Sequence, residues 1–225
     1  EQEKHRIDSW TYKSGFTWHN ETDNIEYQNI HFHDQSKDLI IELNKISENF
    51  QTKKVCFIDI CTGNGGFFNF FCDKLNFDLT KVGIDINRDI IEQKIQKKPF
   101  KDLEFLHGTV KSNIKYLNEL SKNYSLTFFV RKSLTFFTYN ELIDLMETIN
   151  ELKNVHYFVV IEMNDINLYK ETKSRLRDHP AFYGHNYLKI FKEFGWEAMY
   201  IKQNYLNWFI NDYRLDVIFS KKHAQ

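Results

Sequence analysis

From residue 55 onward, short apolar runs alternate with amphipathic segments along the chain. The apolar runs are rich in Val, Ile and Phe, which is typical of strands buried in a parallel sheet. The segments between them carry apolar residues near helical spacing. Predicted strands cover 55–60, 81–85, 103–107, 126–130, 156–161, 196–202 and 213–220. Predicted helices cover 38–50, 66–75, 87–97, 111–120, 139–152 and 186–194, and the polar stretch 164–180 is predicted to be a loop or a short helix.

This order of elements predicts an α/β fold. Consecutive strand–helix units give parallel strands with helices on both faces of the sheet. The last two strands are predicted to form a hairpin, which would make one of them antiparallel. No internal repeat, low-complexity tract or interdomain linker interrupts the chain. The sequence therefore predicts a single domain over 1–225, with an N-terminal cap and helix over 1–50 and the α/β core over 51–222.

A glycine-rich turn follows the first predicted strand. The strand ends in Asp59, and Gly63 and Gly65 come directly before the next helix. Such a turn offers backbone N–H groups and lets a ligand approach closely. The second strand ends in Asp85, twenty residues after Gly65, where nucleotide-binding α/β folds place the acid that binds a ribose diol. The chain has only eight glycines, so the cluster at 63–66 stands out from the background.

These two motifs resemble those of the class I S-adenosylmethionine-dependent methyltransferases. The Asp-x-Cys-x-Gly-x-Gly sequence at 59–65 is similar to their first motif, D/E-x-G-x-G-x-G, with Cys61 where the family more often has glycine. The Val-Gly-Ile-Asp sequence at 82–85 is similar to their second motif. As a pattern of elements, the resemblance covers about 50–222. It implies a Rossmann-like, doubly wound, mostly parallel seven-stranded sheet with one antiparallel strand, and S-adenosylmethionine as the cofactor.

The resemblance also implies roles for residues at the carboxyl ends of the strands, where such folds bind ligands. Asp59 would hold the ammonium of the cofactor, and Asp85 would accept both ribose hydroxyls. Ile86 would cover the adenine face. Thr109 departs from the family, which often has an acid there, and leaves the Val110 backbone to contact adenine. The predicted cofactor-binding residues are Asp59, Cys61, Gly63, Asn64, Gly65, Asp85, Ile86, Thr109 and Val110.

Each of these features also has a purely structural interpretation. Asp85 can act as a helix cap before Asn87, the glycines can form a plain strand–helix turn, and Asp59 can be a solvated strand end. The occurrence of all three at the family's spacing favours cofactor binding.

Two residues are predicted to act on the acceptor side. Arg131, followed by Lys132, comes directly after the fourth strand, and a cationic pair there would suit an acidic or phosphorylated acceptor. The alternative is a solvated pair in a loop. His185 lies in an aromatic and polar stretch before the last helix, where it would act as a base or a hydrogen-bond donor. Its alternative role is that of a residue at the helix entry.

Composition limits the partners and the compartment. The formal net charge of -1 gives no basic field for nucleic acid. No apolar run reaches membrane length and no secretory signal leads the sequence. An odd number of cysteines, three, argues against a disulfide framework and indicates a reduced, cytoplasmic protein. Histidines near the N-terminus, such as His31 and His33, lack a nearby third ligand, so no metal site is predicted.

The predicted function is therefore methyl transfer from S-adenosylmethionine to a small-molecule acceptor. Similarity to compact bacterial enzymes of surface-glycan pathways favours O-methylation of a sugar, a phosphorylated metabolite or another acidic metabolite. One alternative is a protein that binds the cofactor or a partner without turnover. A second is a nicotinamide-dependent oxidoreductase, although Phe68 occupies the third glycine position of G-x-G-x-x-G. The sequence makes no prediction of the oligomeric state.

Overall fold

The computed structural model describes residues 33–47, 54–165, 174–176, 183–205 and 212–221. Most of the predicted N-terminal cap, with its aromatic residues, lies outside the described residues, as do the segments between the described ranges. The division into 1–50 and 51–222 stays a prediction for that reason. In the part of the chain that the structure describes, no helix is long and apolar enough to cross a membrane.

The described elements follow the predicted alternation. The strands are β1 Lys54–Ile60, β2 Leu79–Asp85, β3 Leu103–His107, β4 Tyr124–Arg131, β5 Val155–Asp165, β6 Ser174–Leu176, β7 Tyr183–His185, β8 Trp196–Tyr205 and β9 Asp212–Lys221. The helices are α1 His33–Ser47, α2 Gly66–Cys72, α3 Arg88–Lys97, α4 Ile114–Asn123, α5 Tyr139–Glu151 and α6 Tyr187–Glu193, with a 3-10 turn at Leu134–Phe136.

Seven strands form one sheet in the order β3-β2-β1-β4-β5-β9-β8. The strands β1 to β5 are parallel, and β9 runs antiparallel to both of its neighbours. The predicted mostly parallel, seven-stranded sheet with one antiparallel strand is confirmed. The strand order reverses at β1: β2 and β3 lie to one side of it in the sheet, and β4 and β5 lie to the other. A crevice therefore opens at the carboxyl ends of β1 and β4.

Helices cover both faces because the inner strands are apolar on both faces. One buried cluster joins the sheet to α4, α5 and α6, and contains Cys56, Ile58 and Ile60 of β1. The other joins the sheet to α1, α2 and α3, and contains Val55 and Phe57. Side chains of β1 thus alternate between the two clusters, as the period of a strand requires. The predicted doubly wound arrangement is confirmed.

Several predicted boundaries are wrong. The helix expected over 38–50 begins five residues earlier, at His33. The helix expected over 111–120 begins at Ile114, because residues 110–113 form a turn instead. The helix expected over 66–75 ends at Cys72. The stretch 164–180, expected as loop or short helix, begins with the end of β5, which extends to Asp165 because it pairs with β9.

The same stretch also contains β6, which pairs antiparallel with β7 in a separate two-stranded sheet. His185 therefore lies at the end of a strand and not in a loop.

Candidate functional site

The turn between β1 and α2 is built from left-handed backbone positions. Cys61, Gly63 and Gly65 have φ values of 60°, 55° and 76°. Cys61 thus adopts, without being glycine, a conformation that favours glycine. The Thr62 N–H donates to the Ile84 carbonyl at 3.0 Å, which ties the turn to the end of β2.

Gly65 is required for space as well as for conformation. A Cβ atom at Gly65 would lie 2.8 Å from Leu103 Cδ2 and 2.8 Å from Phe105 Cζ, both side chains of β3. Both neighbours are buried. The turn therefore packs directly against the sheet at this position. Asn64, also buried, stabilises the helix start, because its Oδ1 accepts the Gly66 N–H at 3.0 Å.

Gly65→Ala is expected to lower the free energy of unfolding by about 2–4 kcal/mol, since a left-handed alanine is strained and its methyl group displaces buried neighbours. Urea denaturation measures the loss. Gly195→Ala is the matched control: Gly195 has φ 82° but no heavy atom within 4 Å of its added Cβ, so only the conformational part, about 1 kcal/mol, is expected. Equal losses in both variants would contradict the packing argument.

Asp85 joins the two sequence motifs in space. Its Oδ2 accepts the Gly63 N–H at 2.8 Å, and its Oδ1 accepts the Asn87 N–H at 2.8 Å. Asp85 thus fixes the glycine turn and the residue before α3 together. The helix cap itself is Asn87, whose Oδ1 accepts the Ile90 N–H at 3.2 Å, so the cap role expected of Asp85 is wrong. An ionised carboxylate offers about four acceptor positions. These two backbone contacts are therefore compatible with acceptance of two ribose hydroxyls.

Both an apolar and a polar side chain lie beside Asp85. Ile86 is 43% exposed, so its side chain is accessible to a ligand. His107, which the sequence analysis missed, has its Nε2 3.2 Å from the Ile86 carbonyl oxygen. The Gly108 N–H donates to the Asp85 carbonyl at 2.8 Å, which places the end of β3 next to the end of β2.

In the segment after β3, Thr109 is exposed and Val110 is buried. The Thr109 N–H donates to Ser112 Oγ at 2.8 Å, and the Ser112 N–H donates to Thr109 Oγ1 at 3.1 Å. This reciprocal pair forms the turn that delays the start of α4. The Val110 side chain is buried in the core, so only its backbone is suited to contact a ligand.

Asp59 is buried at the end of β1 and is not a solvated strand end, so that alternative is wrong. Burial raises the pKa of its carboxyl well above the usual range, and the Asp85 charge adds to this effect. Thr62, through a hydrogen bond, and the positive charge of Arg131 act in the opposite direction. A cation placed beside Asp59 would favour its ionised form.

Arg131 and Lys132 are both held in place by the structure. The Arg131 Cζ lies 4.0 Å from the centroid of the Phe67 ring, above the first turn of α2. Lys132 has a left-handed φ of 51°. Burial, with the charges of Arg131 and Arg214, lowers the pKa of Lys132 to about 8, against the opposing effect of Glu162. The pair is therefore more than a solvated loop pair.

Glu162 is a third carboxylate at a strand end, and the sequence analysis missed it. Its side chain is fully buried. Its Oε1 accepts the Ser133 N–H at 2.6 Å and the Leu134 N–H at 2.7 Å. It thereby fixes the backbone that follows Lys132. The signal in the sequence is an acidic residue directly after the apolar run 158–161 of β5.

His185 ends β7, which packs on the segment after β4. It is fully buried, and burial lowers its pKa to about 4, so the ring is neutral near pH 7. Its Nε2 donates to the Phe137 carbonyl at 2.9 Å. The Thr135 hydroxyl donates to the Tyr183 carbonyl at 2.9 Å and holds the same strand. These contacts fasten β7 to the segment after β4, and the role of His185 as a base stays a prediction.

The structure thus gathers most of the predicted cofactor residues at the adjacent ends of β1 and β2. Thr109 and Val110 follow the neighbouring β3, and Arg131 ends β4 on the other side of β1. Among the described residues, no group of three His, Cys, Asp or Glu side chains is arranged to hold a metal ion.

No protein-family model and no curated protein sequence matches the chain. Solved structures do match. The chain is similar to the magnesium protoporphyrin IX methyltransferase (ChlM) of Synechocystis PCC 6803 with bound S-adenosylmethionine, with a TM-score of 0.61 and 10% identity over 99% of this chain and 98% of that one. The chain has the class I S-adenosylmethionine-dependent methyltransferase fold. The recognition made from the two motifs is confirmed at the level of the fold.

Two further structures show the range of proteins that share this methyltransferase fold. The 1,6-didemethyltoxoflavin-N1-methyltransferase of Burkholderia thailandensis, with its acceptor and S-adenosylhomocysteine bound, matches with a TM-score of 0.60 and 9% identity, over 92% of this chain and 85% of that one. A LepI variant in complex with S-adenosylhomocysteine and a substrate analogue matches with a TM-score of 0.53 and 12% identity. That match covers 76% of this chain, which spans only 44% of LepI.

Proposed function

We propose that this protein transfers the methyl group of S-adenosylmethionine to a small-molecule acceptor. The observation that carries the proposal is the contact of Asp85 with the Gly63 N–H, which joins the two motifs at the point where the strand order reverses. The similar structures of the Synechocystis and Burkholderia methyltransferases, which hold S-adenosylmethionine and S-adenosylhomocysteine, support it.

The residues present suit such a cofactor. Asp85 offers acceptors for a ribose diol, and the exposed Ile86 offers an apolar surface for a purine. Asp59 is a buried carboxyl that a cation would ionise, as the ammonium of the cofactor would do. The left-handed turn brings the Gly63 N–H within 2.8 Å of Asp85 Oδ2.

When bound, S-adenosylmethionine supplies a methyl group that is already activated by its sulfonium. The residues of the chain then need mainly to orient the acceptor and to exclude water. Lys132, directly after Arg131 at the end of β4, is the base that we propose for the acceptor, and burial lowers its pKa to about 8. Glu162 keeps the backbone beside Lys132 in place.

The finer proposal concerns the acceptor. Cationic side chains at the end of β4 favour an acidic or phosphorylated metabolite, including a sugar phosphate, with O-methylation as the reaction. An acceptor from a bacterial surface-glycan pathway and a cytoplasmic location remain predictions from the sequence.

Calorimetric titration tests the proposal without knowledge of the acceptor. S-adenosylmethionine and S-adenosylhomocysteine are expected to bind in the micromolar range, and NAD is the control. Phe68 makes NAD a poor ligand for this turn, because it packs against Phe129 with ring centroids 5.5 Å apart where dinucleotide-binding turns need glycine. Binding of NAD alone, or of no nucleotide, would overturn the proposal.

A further inference from the structure

Polar side chains lie on one face of the sheet near the carboxyl end of β5. Ile161 of β5 pairs with Asp216 of β9, and Asp216 pairs with Lys202 of β8. Paired residues share a face, and Ile161 belongs to the cluster that joins the sheet to α1. Arg214 precedes Asp216 by two residues, so it lies on this face as well. Because Arg214 pairs with Met163, it lies closer to the carboxyl end, where α/β folds bind ligands.

Arg214 is held along one edge of its guanidinium group. The residue is buried, with 9% of its surface exposed. Its Nε donates to Asp216 Oδ1 at 2.9 Å, and its Nη2 donates to Asp216 Oδ2 at 2.7 Å. The Asn204 side chain also donates to Asp216 Oδ2, at 3.1 Å, and keeps the carboxylate in place. The plane of the guanidinium is therefore fixed by two hydrogen bonds to one carboxylate.

A second edge of the Arg214 guanidinium is open. The group has five N–H donors, and Asp216 takes two of them. Among the described residues, Nη1 has no hydrogen-bond partner, and it is not one of the polar atoms sealed in the interior. Nη1 and the second N–H of Nη2 form an edge that matches a carboxylate or a phosphate. A buried ion pair adds little to stability, whereas a guanidinium fixed in this way is prepared to bind an anion.

The charges around Arg214 leave room for such an anion. Asp38 of α1, a further acid near Arg214, is paired with Lys202. On the other side lies Lys132, whose pKa is lowered by burial and by the charges of Arg131 and Arg214. In the part of the chain that the structure describes, the Lys132 ammonium makes no hydrogen bond or ion pair. An anion at the open edge of Arg214 would therefore lie beside the proposed base.

We propose that Arg214, oriented by Asp216, binds an oxyanion of the acceptor, either a carboxylate or a phosphate, at the carboxyl end of β9. This inference rests on the proposed function and names the residue that selects an anionic acceptor. The strands β4 and β5 separate β9 from β1, so the site lies apart from the glycine turn. Lys132 stays the proposed base, and the contact of Arg131 with the acceptor stays a prediction.

Inorganic phosphate is the probe, and its phosphorus NMR line broadening reports binding. The protein is saturated with S-adenosylhomocysteine, which keeps phosphate out of the cofactor site. The wild-type protein is expected to bind phosphate in the millimolar range. Arg214→Met is expected to weaken this binding by about 10- to 100-fold and to change the affinity for S-adenosylhomocysteine by less than about twofold. Displacement of phosphate by acetate at similar concentration supports a site for carboxylates as well, and displacement only at much higher concentration supports a site for a phosphorylated acceptor.

Arg214→Lys supplies the comparison should Arg214→Met unfold. Lysine keeps a cation for Asp216 but lacks the second edge, so a similar weakening of phosphate binding is expected. Thermal denaturation shows whether each variant is folded.

Arg88→Lys is the matched control. The Arg88 Nε lies 3.2 Å from Glu92 Oε1, and both side chains are exposed, so this pair resembles that of Arg214 without its burial. Its replacement is expected to leave phosphate binding unchanged. Absence of phosphate binding in the wild-type protein, or equal affinity in a folded Arg214→Lys protein, would overturn the inference while the proposed function stands. If S-adenosylhomocysteine does not bind, the proposed function fails, and phosphate binding by the unliganded protein still tests the anion site.

Discussion

Glu162→Ala is expected to lower the free energy of unfolding by about 3–5 kcal/mol, the largest loss that we expect from removing one polar side chain. The carboxylate is fully buried at the carboxyl end of β5, and one of its oxygens accepts two backbone N–H groups, from Ser133 and Leu134. Truncation leaves both donors without this acceptor, and a buried donor without a partner costs about 1–3 kcal/mol. A cavity adds to the cost. Urea denaturation with an unchanged slope measures the loss.

Glu141→Ala is the matched control for this prediction. Glu141 also accepts a backbone N–H, from Thr138 at 2.7 Å in the capping box of α5, but it is only half-buried. Its truncation is expected to cost about 1 kcal/mol, because water can replace the lost acceptor. Glu162→Gln keeps an acceptor oxygen and should fall between the two. If Glu162→Ala costs no more than Glu141→Ala, the backbone after Lys132 does not depend on Glu162.

The fold was predictable where local patterns determine the outcome. The apolar runs of β1 and β4 are buried on both faces, and their composition alone indicates parallel strands. Asp59 and Asp85 were identified as a pair because each follows such a run and the spacing from the glycine turn is that of a known motif. Strand ends in parallel sheets meet at one edge, so proximity of these two acids follows from topology.

The parts that the sequence did not predict depend on contacts between distant residues. Glu162 differs from a solvated acid only because the fold brings it to N–H groups 29 and 28 residues earlier. His185 is buried because β7 packs on a segment 48 residues earlier, where the Phe137 carbonyl accepts its hydrogen bond. A histidine before a helix gives no local sign of such burial. Likewise, the pairing of β6 with β7 follows from tertiary packing and not from the polar composition of that stretch.

Asp85→Ala is expected to weaken binding of S-adenosylhomocysteine by about 1–3 kcal/mol, which is roughly 5- to 150-fold in the dissociation constant. Two effects contribute. The ribose hydroxyls lose a charged acceptor, and the Gly63 and Asn87 N–H groups lose the oxygens that fix the glycine turn and the start of α3. Calorimetry measures the affinity, and urea denaturation measures how much the turn itself is weakened.

Asp85→Asn removes the negative charge at nearly the same volume. The amide has one acceptor oxygen, so only one of the two backbone contacts, to Gly63 or to Asn87, can persist. Asp89→Ala controls for the loss of a negative charge. Asp89 is an exposed acid in the first turn of α3, and among the described residues it makes no hydrogen bond to the glycine turn. Unchanged affinity in a folded Asp85→Ala protein would mean that the ligand lies elsewhere. A large loss in Asp85→Ala with little loss in Asp85→Asn would mean that one acceptor oxygen suffices, and that ligand binding does not depend on the negative charge of Asp85.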